Sequence, residues 1–219
     1  MNKPILMSLF LILAFFIQIP AASAWNWNTH QEIVENNYNS LPTDMKQNLN
    51  LEAMKDGSDD PDFKFFDFKN HSYPNSYGKA EEWLNRGQYY YKTGDYYYAS
   101  YCYGVASHYI ADSFCAPHDA GVSGPDHTLY EAQASFLRPE MINSNENLNS
   151  AMIEGVSSGK SDWNDWLKTK NNSDVQNDMN RATGASYNAI YNSISNAQPV
   201  EEKKPNNGSE FLMSLAFLI

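Results

Sequence analysis

The chain has 219 residues, enough to bury one hydrophobic core without disulfide staples. Its 42% hydrophobic and 14% aromatic content excludes a disordered chain, and its two cysteines exclude a disulfide framework. A net charge of -11 disfavours a nonspecific binder of nucleic acid or anionic lipid, but leaves open a phosphodiester held through metal ions. The sequence has no CxxC pair and no glycine-rich phosphate loop, so zinc ribbons and P-loop enzymes are ruled out.

Residues 1–24 read as a secretory signal. Lys3 supplies the basic start, residues 5–19 are almost wholly apolar, Pro20 breaks the run, and Ala22-Ser23-Ala24 is an A-x-A cleavage site. The competing reading, a short membrane anchor, is disfavoured by the shortness of the apolar run. Cleavage after Ala24 makes Trp25 the mature amino terminus, and the expected location is secreted or cell-surface.

Residues 25–197 read as one helical region. Thr29 is a candidate cap for a helix through Ile33, Val34 and Tyr38. Pro42-Thr43-Asp44 opens a helix expected to contain Met45, Leu49 and Met54. The run from Gly57 to Asp62 (G-S-D-D-P-D) satisfies the turn rules and is expected to be a loop. Residues 67–78, with Pro74, read as irregular, and residues 79–91 read as a helix with Ala80, Trp83 and Leu84 on one face. Thr93-Gly94-Asp95 forms a turn and cap before a helix over about 96–113, ended by Ala116-Pro117. Asp126 is expected to cap a helix through Leu129, Ala132 and Phe136, stopped by Pro139. Ser161-Asp162 is expected to cap a helix with Trp163, Trp166 and Leu167, and a last long helix covers about 175–194. Alternating strand patterns are scarce, so the fold is expected to be all-α, a single-domain bundle of many helices.

Residues 198–219 read as a polar linker followed by an apolar stretch, 211–219, too short to span a membrane core of about 30 Å as a helix. Cys102 and Cys115 would lie about 19 Å apart along a continuous helix, too far for a disulfide, and are expected to be unpaired. The tyrosines at 89–91 and 96–98 are expected to pack their rings and wet their hydroxyls rather than to cage a ligand.

The chemistry gathers around five histidines: His30, His71, His108, His118 and His127. His108 and Asp112 are spaced i, i+4 on a predicted helix, and His127 and Glu131 repeat that spacing on the next, so each pair shares a helix face. His118 follows the helix-ending Pro117. Nitrogen and carboxylate ligands without thiolate suit zinc or a similar metal. Ion pairing between helices would explain one such pair, but two pairs bracketing a Pro-His favour metal binding.

The run His108-Tyr109-Ile110-Ala111-Asp112, then Ala116-Pro117-His118, then His127-x-x-x-Glu131, resembles the bacterial zinc-dependent phospholipase C family. That family includes phosphatidylcholine-hydrolysing enzymes and the catalytic domain of the clostridial alpha-toxins. Its H-x3-D-x5-H and H-x3-E blocks are matched at every spacing. The family's mature amino-terminal tryptophan is similar to Trp25, its next histidine to His30, the G-S-x-x-P-D loop of the toxin branch to Gly57–Asp62, and the histidine after that loop to His71. The resemblance implies an all-helical domain with three zinc ions and hydrolysis of a phosphodiester by a zinc-activated water. Asp62, His71, His108 and Asp112 would hold the first ion. His118, His127 and Glu131 would hold the second. His30, a bridging Asp112, and the amino nitrogen and carbonyl oxygen of Trp25 would hold the third. Asp62 is the implied catalytic residue, orienting or deprotonating the attacking water. The α-amine of Trp25 becomes free only on signal cleavage, so export would be coupled to activation.

Three departures bear on the substrate. Where phosphatidylcholine enzymes carry glutamate three residues after the first tryptophan, this chain has Asn28. Phe63 and Phe68 remain as candidate aromatic partners of a headgroup cation. The five-residue gap from Trp25 to His30 is shared with S1/P1-type nucleases. Those nucleases end their motif in H-x3-D and use a W-A-D loop, whereas this chain has Glu131 and the Gly57–Asp62 run. No stretch of these residues reads as an added β-sandwich for membrane docking of the toxin kind, and none is expected. The expectation is a monomeric, secreted phospholipase C acting on phospholipid, with membrane-surface contact near the cleft or through the tail. The alternatives are a single-strand nuclease, in which case nucleic acid is the partner, and a metal-binding surface protein without turnover.

Overall fold

A computed structural model describes residues 25–142 and 146–197. The expected signal at 1–24 and the linker and tail at 198–219 lie outside the described residues. Nine α-helices and one 3-10 turn make up the described part, with no strand among the described residues. In chain order they are α1 (Trp27–Ser40), α2 (Thr43–Lys46), α3 (Leu51–Phe63), the 3-10 turn (Phe68–Asn70), α4 (Asn75–Thr93), α5 (Tyr96–Asp112), α6 (Ala116–Asp119), α7 (Pro125–Ala134), α8 (Leu148–Thr169) and α9 (Asn172–Ala197). The all-α expectation holds.

Helix α5 is the centre. From Ala99 to Asp112 all but Tyr101 are buried, on every side of the helix. A helix buried all round must be lined by others, and α1, α3, α4 and α9 pack against it. Gly94, at φ 87, ends α4, and the Asp95 carboxylate accepts from the Tyr98 amide to start α5, as the sequence predicts.

The pairing of α3 with α5 departs most from expectation. Gly57 to Asp62 is helix, not loop, and Pro61 lies inside its last turn. The turn-forming composition is overridden by tertiary packing. A Cβ on Gly57 would fall 2.2 Å from the carbonyl oxygen of Tyr101, and one on Gly104 would fall 1.9 Å from that of Met54. The glycines therefore let two backbones touch. Contacts recur at a constant offset along both helices. The Asn50 amide donates to Ser100 Oγ (2.9 Å), Met54 lies under Gly104, and the Ser58 carbonyl accepts from His108 Nδ1 (2.7 Å). The two helices thus run parallel and advance together in i, i+4 steps. The next step carries Asp62 to the level of Asp112.

Other boundaries shift for local reasons. Asn26, not Thr29, caps α1, accepting from the amides of Asn28 and Thr29, and Thr29 is buried inside the helix. The helix expected from Thr43 through Met54 is split, because Asn50 caps a fresh start at α3. Irregular structure after Asp67 gives way to α4 at Asn75, earlier than expected. Ala116-Pro117 opens the short α6 rather than only ending α5, with proline at a helix start where its missing amide costs nothing. Gly124, at φ 111, precedes α7, so Asp126 sits in the first turn instead of at the cap. Ser161 and Asp162 lie mid-helix, since α8 begins at the Asn147 cap. Both cysteines are buried and free. Tyr91 and Tyr103 are core residues, whereas Tyr89 and Tyr97 are exposed.

The α3–α5 contact predicts unequal costs for the same substitution. Gly104→Ala should destabilise by about 1–3 kcal/mol through overpacking. Gly78→Ala, with open space around its Cβ in α4, should stabilise by about 0.5–1 kcal/mol. Denaturant unfolding of both variants checks this, and equal effects would contradict the close contact.

Candidate metal centre

The expected ligands come from separate elements that converge at the carboxyl end of α5. His30 sits in the first turn of α1, Asp62 in the last turn of α3, His71 just after the 3-10 turn, and His108 and Asp112 at the end of α5. His118 lies in α6, and His127 and Glu131 on one face of α7. Three groups form, each with ligand atoms within 4.8 Å of one another: His30, His108 and Asp112; Asp62, His71 and His108; and His118, His127 and Glu131.

Asp112 is the hub of the first two groups. Its Oδ1 lies 3.3 Å from His30 Nε2, and its Oδ2 lies 3.2 Å from both His71 Nδ1 and His108 Nε2. His71 Nδ1 is 3.6 Å from Asp62 Oδ1. The His30 and His108 rings stack at 3.9 Å. Two atoms each about 2.0–2.1 Å from one tetrahedral zinc lie about 3.3 Å apart, so the spacings suit ligands of shared ions. The chemistry of these atoms agrees. Both ring nitrogens of His30 and of His71, His108 Nε2 and both Asp112 oxygens are shut from water and meet no hydrogen-bond geometry. Buried polar atoms without such partners are costly, and the residues present fit a metal ion.

The charge balance points the same way. Burial pushes the His30 and His71 imidazoles down to about 4, against the pull of Asp112, so both stay neutral and offer lone pairs. Burial alone would raise Asp112, but His108 and His71 facing it hold its carboxyl well below the usual range. His108 moves the other way. Burial opposes its charge, yet Asp112 outweighs burial and lifts it to about 9.

Main-chain carbonyls orient the rings. His108 Nδ1 donates to Ser58 O (2.7 Å) and His127 Nδ1 to Val122 O (3.0 Å), which leaves each Nε2 toward its carboxylate. His127 Nε2 meets Glu131 Oε1 at 2.5 Å, and the His118 ring stands edge-on to His127 at 5.1 Å. His118 is fixed through α6, because the Ala116 amide donates to Asp178 Oδ2 (3.2 Å) from α9. The Asp178 carboxylate also accepts from Tyr130 and Arg181. Trp25 is fully buried, and its indole Nε1 donates to Ala111 O (3.1 Å), next to Asp112.

His71, His118 and His127 line one cleft of about 230 Å³ with Phe68, so the groups around Asp112 and Glu131 share an opening. The Phe68 ring is 5.8 Å from that of His71. Phe63 lines a different hollow, with Asp59, Asp60 and Trp83. Asn28 is half-buried in α1, and its amide donates to Asn26 Oδ1. Sequence reasoning missed the carbonyls of Ser58 and Val122 and the Asp178 brace on His118. Carbonyls carry no residue signature, and only the constant α3–α5 offset could have exposed the first.

His108 generates a prediction. In the metal-free protein Asp112 holds its proton up to about pH 9. Zinc needs that Nε2 lone pair, so loading at pH 7 must release a proton, and the release must shrink as pH approaches 9. Calorimetric zinc titrations in buffers of different ionisation enthalpy measure it. A pH-independent, proton-neutral loading would contradict the proton that Asp112 holds on His108.

No curated protein matches the chain. The family described as zinc dependent phospholipase C matches residues 29–181, which take in every expected ligand except Trp25. That match covers more than half of the sequence, and the chain belongs to the zinc-dependent phospholipase C family.

Proposed function

We propose that the protein is an exported phospholipase C that cleaves a phospholipid to a phosphorylated headgroup and diacylglycerol with three zinc ions. The family supports phospholipase C-type hydrolysis. The observation that carries the finer reading is the single cleft lined by His71, His118 and His127, which opens both ligand clusters to one substrate. A phosphodiester there could meet both clusters at once. Bound zinc would supply Lewis acidity for the phosphate oxygens and lower the pKa of a water toward about 7.

The chain's own residues have distinct tasks. Asp112 would serve two ions, since one oxygen faces His30 and the other faces His71 and His108. Asp62, nearly buried beside His71, orients the attacking water and takes its proton as oxygen adds to phosphorus. The phosphorus–oxygen bond to the glycerol then breaks, and the departing oxygen takes up the proton that Asp62 received, by way of solvent, which restores the carboxylate. Phe68 offers an aromatic face to the headgroup at the cleft wall. The α-amine of Trp25, freed by signal cleavage, completes the His30 group, so that catalysis begins only after export.

The test uses the zinc-loaded chain starting at Trp25 on mixed phospholipid vesicles, with single-stranded DNA beside it. Release of phosphorylated headgroup is expected, and His118→Ala and Glu131→Ala should each lower it by at least a hundredfold with helix content retained. Nucleotide release with intact lipid would replace this reading by a nuclease. Wild-type turnover in both variants would show that the His118 group is not part of the site.

A further inference from the structure

Between the ligands Asp62 and His71 the chain runs F-K-F-F-D-F-K-N, residues 63–70. Phenylalanines at this density usually mark core, yet Phe63, Phe65 and Phe66 are exposed, Phe66 by 67%. Phe66 also holds φ 51, in the left-handed region. A bulky residue there costs on the order of 1–2 kcal/mol, a cost that glycine would remove and asparagine reduce. Folding therefore gains little from an exposed phenylalanine at this position. An outlier of this kind points to a task outside the fold.

Both neighbours of Phe66 are held. The Phe65 ring stacks on Trp83 at 5.7 Å, and its amide donates to Asp60 O (2.8 Å). The Asp67 amide donates to Pro61 O (3.0 Å), and its Oδ2 accepts from the Tyr109 hydroxyl (2.9 Å). Phe66 is thus presented to solvent by a braced turn. Its ring lies 6.4 Å from that of Phe68, which lies 5.8 Å from that of His71, so an aromatic path descends from the exposed tip to the cleft.

We propose that residues 63–69 dock the protein on a phospholipid bilayer, with Phe66 entering the headgroup layer and Phe68 leading to the cleft. This rests on the lipid reading of the site. The occupant follows from continuity with the cleft. Lys64 is paired with Asp60 (3.0 Å) and Lys69 is exposed near Asp67, so the rings and not the charges carry the contact. The exposed rings lead to the cleft proposed to take the lipid, whereas a second copy of so acidic a chain is repelled. Aromatic rings flanked by lysines are the chemistry of a membrane interface.

The experiment is co-sedimentation of the zinc-loaded protein with vesicles of phosphatidylcholine, beside its activity on a short-chain phospholipid dispersed as monomers. Phe66→Asn keeps the left-handed turn and removes the ring, and should weaken vesicle partitioning about tenfold while monomer hydrolysis stays at the wild-type level. Phe66→Trp should retain binding and blue-shift its fluorescence on vesicles. Unchanged partitioning of Phe66→Asn, or loss of self-association in place of vesicle binding, would overturn the docking surface. Failure of the lipid reading itself looks different. The wild-type protein would then release no headgroup from monomers, whatever happens at Phe66.

Discussion

The parallel contact of α3 with α5 is the constraint on which the site depends. Gly57 and Gly104 remove the side chains that would hold these helices apart, and the backbones touch. Once they do, register follows from helix geometry alone. Each turn advances both chains together, through Asn50 and Ser100, Met54 and Gly104, Ser58 and His108. The same register that orients His108 through the Ser58 carbonyl delivers Asp62 to the neighbourhood of Asp112. Packing and ligand placement are therefore one feature, set by small residues about one turn from the ligands.

The end of α5 spends stability for function. His30, His71, His108 and Asp112 are all buried, and their convergent atoms lack hydrogen-bond geometry. Each such group costs about 1–3 kcal/mol in a metal-free protein. The surrounding structure supplies rigidity instead of relief. The Trp25 indole ties the start of the described chain to α5, and the Asp178 carboxylate ties α6 to α9. Tyr130, Trp163 and Trp166 pack as a ring cluster beneath α7, with Trp163 and Trp166 stacked at 5.0 Å. Ligands on ends of helices braced in this way can keep their spacing when ions bind or leave.

Much of this was legible from the residues. The spacings of His108 with Asp112 and His127 with Glu131 fixed two ligand pairs to helix faces, and both pairs meet in the structure. Helical periodicity found α4, α5 and α9 to within a few residues. What failed was local turn chemistry. The G-S-D-D-P-D run reads as a loop because glycine, aspartate and proline favour turns, and only the pressing surface of α5 makes a helix there worthwhile. Caps failed similarly: Asn26 caps α1 in place of the expected Thr29, and Asn147 starts α8 well before the expected Ser161-Asp162. The exposure of Phe66 was not legible, since a phenylalanine-rich run ordinarily signals burial.

The central claim is that these elements assemble one trinuclear zinc centre around Asp112. Anomalous diffraction at the zinc edge, from crystals of the chain beginning at Trp25, tests it most directly. The account predicts three peaks: one among Asp62, His71, His108 and Asp112, one among His118, His127 and Glu131, and one between His30, Asp112 and the amine of Trp25. A single peak, or no peak beside Asp112, would contradict it.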